Sequence, residues 1–451
     1  MKKLIFILIL APLCMQAQVL GYTDAAVLFS TDDNYGTARY MGLSGAMGAL
    51  GGDMSAAEIN PAGLAVFNYS EFSMTLGYSN VDNTSSFYGT GIQSSDDRFD
   101  FPQTGGVFIF YTGNQTGFNK FAFGMNYTQL KNFDNAIFAR GNSGVPDFVD
   151  DPYLNYDENP FNNVFYDNVD QQEFKSYTNG SNSKFNFSFA SQYNDILYLG
   201  MNLNFYYLDF YQSANYSEFN NDGNNNTLDA YVDQYLEDYG DGFSFSLGVI
   251  VKPIENLRIG ASYKSPVWYD ISETYIEDLE INLSNTSDTY YEYGNPNYFD
   301  YDVNTPSELT GSLAYIFGKN GLISFDYIYK DFQNIELQPT GDFIDENQYI
   351  SENLRGTSSY RIGTEWILNS FSVRGGYRFE QSPYKDGDID QDLTGYSLGL
   401  GIRFTRSVRL DLSYDQYNRD YTYQFLNIDI VNPAVIKEDT YRLNSSLVFS
   451  F

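Results

Sequence analysis

The chain has 451 residues, with 58 Asp plus Glu against 25 Lys plus Arg, a formal charge of −33 and no histidine. The charge excludes a nucleic-acid surface, which needs clustered Lys and Arg against phosphate. The missing histidine excludes Ser-His-Asp and Cys-His catalysis, His-ligated zinc and His-bound haem.

Lys2 and Lys3 precede an apolar run from Leu4 to Leu13 that is too short to cross a bilayer as a helix. With Ala17 before a cut, residues 1–17 read as a secretory signal peptide. Its removal takes away Cys14, the single cysteine, and with it any disulfide or thiolate chemistry.

Residues 18–69 do not alternate. They carry Gly36, Gly42, Gly45, Gly48, Gly51, Gly52 and Gly63, which allow close backbone approach. Asp53 and Ser55 can cap a short helix running through Glu58. Asn60 followed by Pro61 reads as a second N-cap with proline at the first helical position. The segment is expected to form short helices and tight turns, compact enough to fit inside a barrel.

From residue 70 onward, large and small residues alternate. Phe72, Met74, Leu76 and Tyr78 alternate with Ser73, Thr75, Gly77 and Ser79; Leu199, Met201, Leu203 and Phe205 alternate with Gly200, Asn202 and Asn204. Period two places one set on each face of a strand, here lipid and lumen. Fourteen strands are predicted near 70–80, 104–112, 119–130, 184–194, 196–211, 242–252, 256–266, 306–317, 321–331, 358–368, 371–381, 394–405, 407–418 and 440–451. Connections after odd strands are long and those after even strands short, the asymmetry of an outer-membrane barrel. The 42 Tyr and 37 Phe fit its aromatic girdles. No later stretch is long and apolar enough for a membrane helix. The fold class is therefore an all-β, fourteen-stranded antiparallel transmembrane barrel over 70–451, closed by an N-terminal plug over 18–69. The chain ends on the aromatic Phe451, like the terminal strand of bacterial outer-membrane proteins.

Within the long connections, "NTLDAYVDQYLED" places Leu228, Tyr231, Val232, Tyr235 and Leu236 at helical spacing, opposite Asp229, Asp233 and Glu237. An amphipathic extracellular helix is expected there. Phe161, Phe165 and Tyr166 form a second apolar patch. Strand phase turns Arg361, Glu365, Arg374, Arg378, Glu380, Arg403, Arg409, Asp411 and Arg442 to the lumen. A guanidinium so placed can hold a carboxylate bidentately, which marks Arg361, Arg374, Arg378, Arg403 and Arg409 as candidates. The alternative is an internal ion-pair ladder bracing wall and plug. Residues 267–308 hold ten acidic and no basic side chains. "DGDIDQD" at 386–392 begins like a calcium loop, but Gln391 replaces its glycine and Ser397 its bidentate Glu, so no metal site is expected.

The stretch "GTARYMGLSGAMGALGGDMSAAEINPAGLA", followed by this barrel, resembles the FadL/TodX family of outer-membrane transporters. Asn60, Pro61 and Ala62, with Gly63 following, match that family's hatch signature. The resemblance implies a non-enzymatic protein, without a cofactor, that carries long-chain fatty acids or other hydrophobic small molecules across a bacterial outer membrane. It also implies extracellular helical loops that capture ligand, here Leu228, Tyr231, Val232, Tyr235 and Leu236. Expected partners are a fatty-acid-like ligand, outer-membrane lipid and lipopolysaccharide, and the barrel assembly machinery; a monomer is expected. The rival readings are a barrel component of a protein-secretion system and a general porin.

Overall fold

The computed structural model describes residues 19–113, 116–150, 152, 164–285, 289–385, 391–426, 428 and 430–451. The residues of the expected signal peptide, Phe161 and most of the "DGDIDQD" stretch lie outside the described residues.

Nineteen strands, numbered in chain order, form among the described residues. Fourteen close a barrel: β1 (Glu71–Phe87), β2 (Thr90–Tyr111), β3 (Phe118–Asn132), β5 (Asn168–Tyr193), β6 (Leu197–Asn221), β7 (Thr227–Ile254), β8 (Leu257–Lys264), β12 (Glu308–Ile316), β13 (Gly321–Asp331), β15 (Gly356–Leu368), β16 (Phe371–Glu380), β17 (Leu393–Arg403), β18 (Val408–Tyr423) and β19 (Ala434–Ser450). All fourteen predicted strands are present. Each pairs antiparallel with the next, and β1 pairs with β19 from Glu71↔Ser450 to Ser86↔Val435. The Phe451 N–H donates to the Ser70 carbonyl at 2.9 Å at the end of this seam. Closure matters because hydrocarbon offers no partner for an unpaired backbone group.

The alternation sets the two faces. Phe72, Met74, Leu76, Leu199, Met201 and Phe205 are exposed outward, whereas Ser73, Thr75, Asn202 and Asn204 are buried inside. Two aromatic belts bound the lipid-facing band. One includes Phe243 stacked on Trp268 at 6.3 Å and Tyr327 beside Tyr360 at 5.3 Å. The other includes Phe317 stacked on Trp366 at 5.6 Å and Phe118 beside Tyr193 at 5.2 Å.

On one side the wall continues well past the first belt. β5, β6 and β7 have 26, 25 and 28 residues, far more than the ~10 a membrane strand needs. With β4 (Asn135–Gly141), β9 (Trp268–Leu283), β10 (Thr289–Tyr293), β11 (Asn297–Asn304) and β14 (Glu336–Gln338), they form an extracellular tower of sheet. The acidic 267–308 stretch supplies β9 to β11.

The tower corrects one expectation. Leu228, Tyr231, Val232, Tyr235 and Leu236 lie on strand β7, not on a helix. Leu228, Val232 and Leu236 are buried inward with Ala230, while Tyr235 is exposed outward and Tyr231 is also on the outer phase. The helical spacing arose because outward tyrosines were counted with inward aliphatics. Ladders to β6 on one side and β9 on the other decide the conformation, from Leu228↔Asn220 and Leu228↔Leu283 onward. The helix of this region is instead α4 (Ile344–Asn353), after β14, with Ile350 buried. Of the second apolar patch, Tyr166 is buried and Phe165 is exposed.

The tower interior holds an apolar core that includes Phe174, Phe210, Tyr216, Val232, Leu236, Ile271 and Leu337. The chain enters this core at its front end. Helix α1 (Tyr22–Phe29) packs there through Ala25, Ala26, Val27 and Phe29. The Val19 and Leu20 amides donate to Gln234 and Gln212 side-chain oxygens at 3.0 and 2.8 Å.

Candidate functional site

Beyond α1, the N-terminal segment forms a plug from α2 (Ala38–Met41), α3 (Ala56–Ile59) and a 3-10 helix over Pro61–Val66. Ser55 precedes α3, but its hydroxyl accepts from the Thr37 amide at 2.8 Å instead of capping its own helix. The Asp53 carboxylate accepts from the Ser55 amide and the Thr37 hydroxyl, at 2.9 and 2.8 Å. Asn60 is the N-cap expected of it: Oδ1 accepts from the Ala62 amide at 3.2 Å with Pro61 at the first helical position.

The signature turn is seated in the wall. A row of small inward residues, Ala122, Ala190, Gly200, Gly248 and Ser262, crosses β3, β5, β6, β7 and β8 in register. A Cβ on Gly200 would lie 2.3 Å from the Pro61 carbonyl carbon, and one on Gly248 would lie 2.1 Å from Asn60 Oδ1. Asn60 Nδ2 donates to the Val249 carbonyl at 3.1 Å and the Ala261 carbonyl at 3.4 Å. The opposite wall has a second notch, Gly363 and Gly376, where added Cβ atoms would meet the Leu43 carbonyl oxygen at 2.8 Å and carbonyl carbon at 2.5 Å. Next to it, the Ser44 amide donates to Ser397 Oγ at 2.9 Å. The glycine-rich plug thus meets a wall that is itself stripped of side chains.

Charged groups hold the plug at its rim. Arg39 of α2 makes two bonds to Glu365, at 2.9 and 3.2 Å, and Glu365 also accepts from Arg374 at 2.5 Å. Arg374 continues to Asp411 at 2.8 Å, and Asp411 accepts from Arg409 at 2.7 Å. A second group joins Arg442 to Asp415 at 2.6 Å and to the Asp33 carbonyl at 2.6 Å, with its guanidinium 4.6 Å from the Tyr35 ring. Arg378 stacks over Tyr417 at 4.8 Å, near Glu380 and Asp415. Arg403, on the inward phase of β17, ends the strand at the exposed rim. Among the five candidate arginines, Arg374, Arg378 and Arg409 stand in this ladder of wall carboxylates.

Arg361 lies elsewhere. It lines a cavity of about 170 Å³ between plug and tower core. Five further cations reach the same cavity from other strands: Lys131, Lys184, Lys264, Lys330 and Arg419. They are partly neutralised. Asp32 lies 3.6 Å from both Lys264 and Lys330, Glu308 lies 3.2 Å from Lys330, and Glu58 accepts from Lys184 at 2.5 Å. Arg361 donates to Asn34 Oδ1 at 3.1 Å, the Tyr40 hydroxyl at 3.2 Å and Glu380 at 3.3 Å, leaving its Nε without a partner among the described residues. The four lysines escaped the sequence reading. Their signal was a basic residue on the inward phase near the extracellular end of a strand, within a strongly acidic chain.

The wall beside this cavity is incomplete. β2 pairs with β3 only between Gln103↔Thr128 and Tyr111↔Lys120. Beyond Gln103 toward the tower the ladder stops, and β3 shifts register against β5 between Gln129 and Lys131. Side chains bridge the gap instead. Ser94 Oγ donates to the Ala136 carbonyl at 2.6 Å, Arg98 to the Asp134 carbonyl at 2.6 Å and Asn132 to Asp100 at 2.9 Å.

The described residues thus form a plugged fourteen-stranded barrel with a charged cavity and an interrupted ladder. The family profile described as "Outer membrane protein transport protein (OMPP1/FadL/TodX)" matches residues 159–423. The chain belongs to this family. Solved structures agree in fold. A FadL homologue from Pseudomonas aeruginosa superposes with a TM-score of 0.57 at 13% identity, over 94% of this chain and 100% of that one. The toluene transporter TodX of P. putida gives 0.54 at 14% identity, over 93% and 99%. The toluene transporter TbuX of Ralstonia pickettii gives 0.52 at 17%, over 91% and 98%. Among curated proteins, no sequence matches this one. As a FadL/TodX protein the chain is a bacterial outer-membrane channel for hydrophobic compounds and not an enzyme.

Proposed function

We propose that the compound carried is an amphipathic acid, a long-chain fatty acid or a molecule of that type. The observation that carries this reading is the cavity with six cations from six strands, lying directly below an apolar core. A hydrocarbon such as toluene offers nothing for those cations to bind, whereas a carboxylate can accept from Arg361 in two bonds. The cavity is too small for a long chain, so the acyl tail must run upward into the tower core in place of existing apolar contacts. Val232 and Leu236 line that core, Leu228 lies in a second apolar cluster beside Tyr166, and these three are the tail contacts in this reading. The side-chain-bridged gap between β2 and β3 supports a sideways exit. The Asn60–Gly63 signature, buried in the wall, serves in this reading to seat the plug.

The test is a binding series of saturated acids with purified protein. Each added methylene should strengthen binding by ~0.8 kcal/mol, roughly fourfold, until the tail fills the tower. Arg361→Ala should weaken acids by about tenfold or more and leave the matching fatty alcohols unchanged. Equal binding of acids and alcohols to the wild type rejects the carboxylate site.

A further inference from the structure

The tower contains two carboxylates that neither the plug nor the cavity uses. Asp238 on β7 and Glu273 on β9 stand directly opposite each other in the antiparallel ladder. Residues so paired hold their Cβ atoms about 4.5–5.5 Å apart. Asp238 is fully buried, and neither of its oxygens has a hydrogen-bond partner among the described residues. Glu273 accepts from the Tyr22 hydroxyl of α1 at 2.8 Å. The hydroxyl of Tyr301, on β11, is also buried without a partner. Tyr22 packs on Tyr301 and Phe343 at 5.3 and 5.0 Å, so the surroundings are apolar. The pair lies past the Phe243–Trp268 belt, outside the membrane span.

Other ionisable groups near the pair add negative charge or none. Glu346 of α4 acts on Tyr22. The next inward rung holds Leu236 and Tyr275, and the one after it Gln234 and Glu277, where Glu277 already accepts from Gln234 and from the Tyr275 hydroxyl, each at 2.6 Å. Asp24 of α1 is bonded to Tyr384 at 2.8 Å. Among the described residues, no lysine or arginine acts on Asp238 or Glu273. Two ionised carboxylates at this separation in a dry interior repel strongly, so one must be neutral or a cation must lie between them. A hard cation takes six to eight oxygens. Two carboxylates and two phenols fall short of that, and the described residues hold no metal-type cluster of three acids. A proton is the smaller requirement. Burial, with the facing Glu273 adding to it, holds the Asp238 carboxyl well above the usual carboxylate range.

We propose that Asp238 is protonated beside ionised Glu273 and that the pair acts as a pH-sensitive latch that keeps α1 in the tower. The proton sits on Asp238, and ionised Glu273 takes the Tyr22 hydroxyl. When the Asp238 O–H bond breaks and the proton leaves to bulk water, the pair becomes a dianion that only hydration can relieve. Hydration requires α1 to lift away from it. A carboxyl raised by folding contributes stability present at low pH and lost as pH rises through the raised value. Access to the apolar space under α1 therefore increases with pH.

Hydrogen exchange of the 22–29 amides in the full chain in detergent, from about pH 5.5 to about pH 9 and corrected for base catalysis, tests this. In the wild type, protection of α1 should fall about tenfold or more across the upper half of that range, while the plug and barrel strands stay protected. Asp238→Asn should give α1 protection that no longer varies with pH. Glu273→Gln removes the facing charge and leaves buried Asp238 in place, so its α1 protection should fall less than in the wild type across the same range; this variant serves if the first does not fold. A flat wild-type profile, or an Asp238→Asn profile that falls like the wild type, overturns the latch. Loss of α1 protection on adding a chelator at constant pH also overturns it, by assigning the site to a metal cation.

Discussion

Substituting Gly200 by alanine isolates the docking of the signature turn. The new Cβ would lie 2.3 Å from the Pro61 carbonyl carbon, 2.4 Å from the Ala62 nitrogen and 2.5 Å from the Pro61 oxygen, all backbone atoms. Ordinary contact begins near 3.4 Å, so the turn must retreat by about 1 Å. The Asn60–Val249 bond, now 3.1 Å, then passes out of hydrogen-bond range, and the 3.4 Å bond to Ala261 is lost with it. Two net hydrogen bonds and a buried amide left unsatisfied come to roughly 2–4 kcal/mol. Opening of the turn should rise between ~30- and ~1,000-fold. Hydrogen exchange at Ala62, Gly63 and Leu64 reads this directly, and single-channel conductance reads any leak past the loosened plug. Gly311→Ala, with no heavy atom within 4 Å of the new Cβ, is the matched control. If Gly200→Ala keeps wild-type exchange in these three amides, the notch does not seat the plug.

Two further substitutions test other parts of the molecule. Val232→Asp puts a charge into the tower core and should cost more than ~3 kcal/mol, seen as early protease cleavage of the tower in urea, whereas neighbouring Tyr231→Asp on the outer face should change stability by less than ~1 kcal/mol. Similar losses from both would contradict the strand assignment. Arg39→Ala leaves Glu365, whose side chain is 6% exposed, with Arg374 as its remaining partner. The plug should lose about 3 kcal/mol while the barrel stays folded, with little dependence on salt because the pair is screened from solvent. A plug that unfolds at the wild-type urea concentration would show that this ion pair is not an anchor.

The barrel was legible because a membrane strand repeats one rule. Phe72, Met74 and Leu76 must meet lipid, and Ser73 and Thr75 must not, so period two survives without help from neighbours in sequence. The tower was less legible for a physical reason. Above the lipid its outer face meets water and tolerates Tyr231, Tyr235 and Glu237 alike, so outward tyrosines blur the alternation and mimic a helical stripe. What kept residues 227–239 extended was the ladder to β6 and β9, a long-range effect that a local window does not contain.

The candidate site was visible only where its residues are neighbours in sequence. The Asn60-Pro61 turn is local: cap, proline and small residues stand side by side, and the structure builds them as read. Its receptor is not local. Gly200 and Gly248 become one notch only when β6 pairs with β7, and Ala190 and Ser262 extend it only through β5 and β8. The cations of the cavity behave alike. Lys264 and Lys330 are 66 positions apart, yet both flank Glu308 in register, on β8 and β13 either side of β12. A barrel makes such rings from single residues contributed once per strand. The informative quantity is therefore the height of an inward charge along its strand, compared across strands. Applied to this chain, that comparison groups Lys264, Lys330 and Arg361 near the extracellular ends and separates them from Arg403, which ends β17 at the opposite rim.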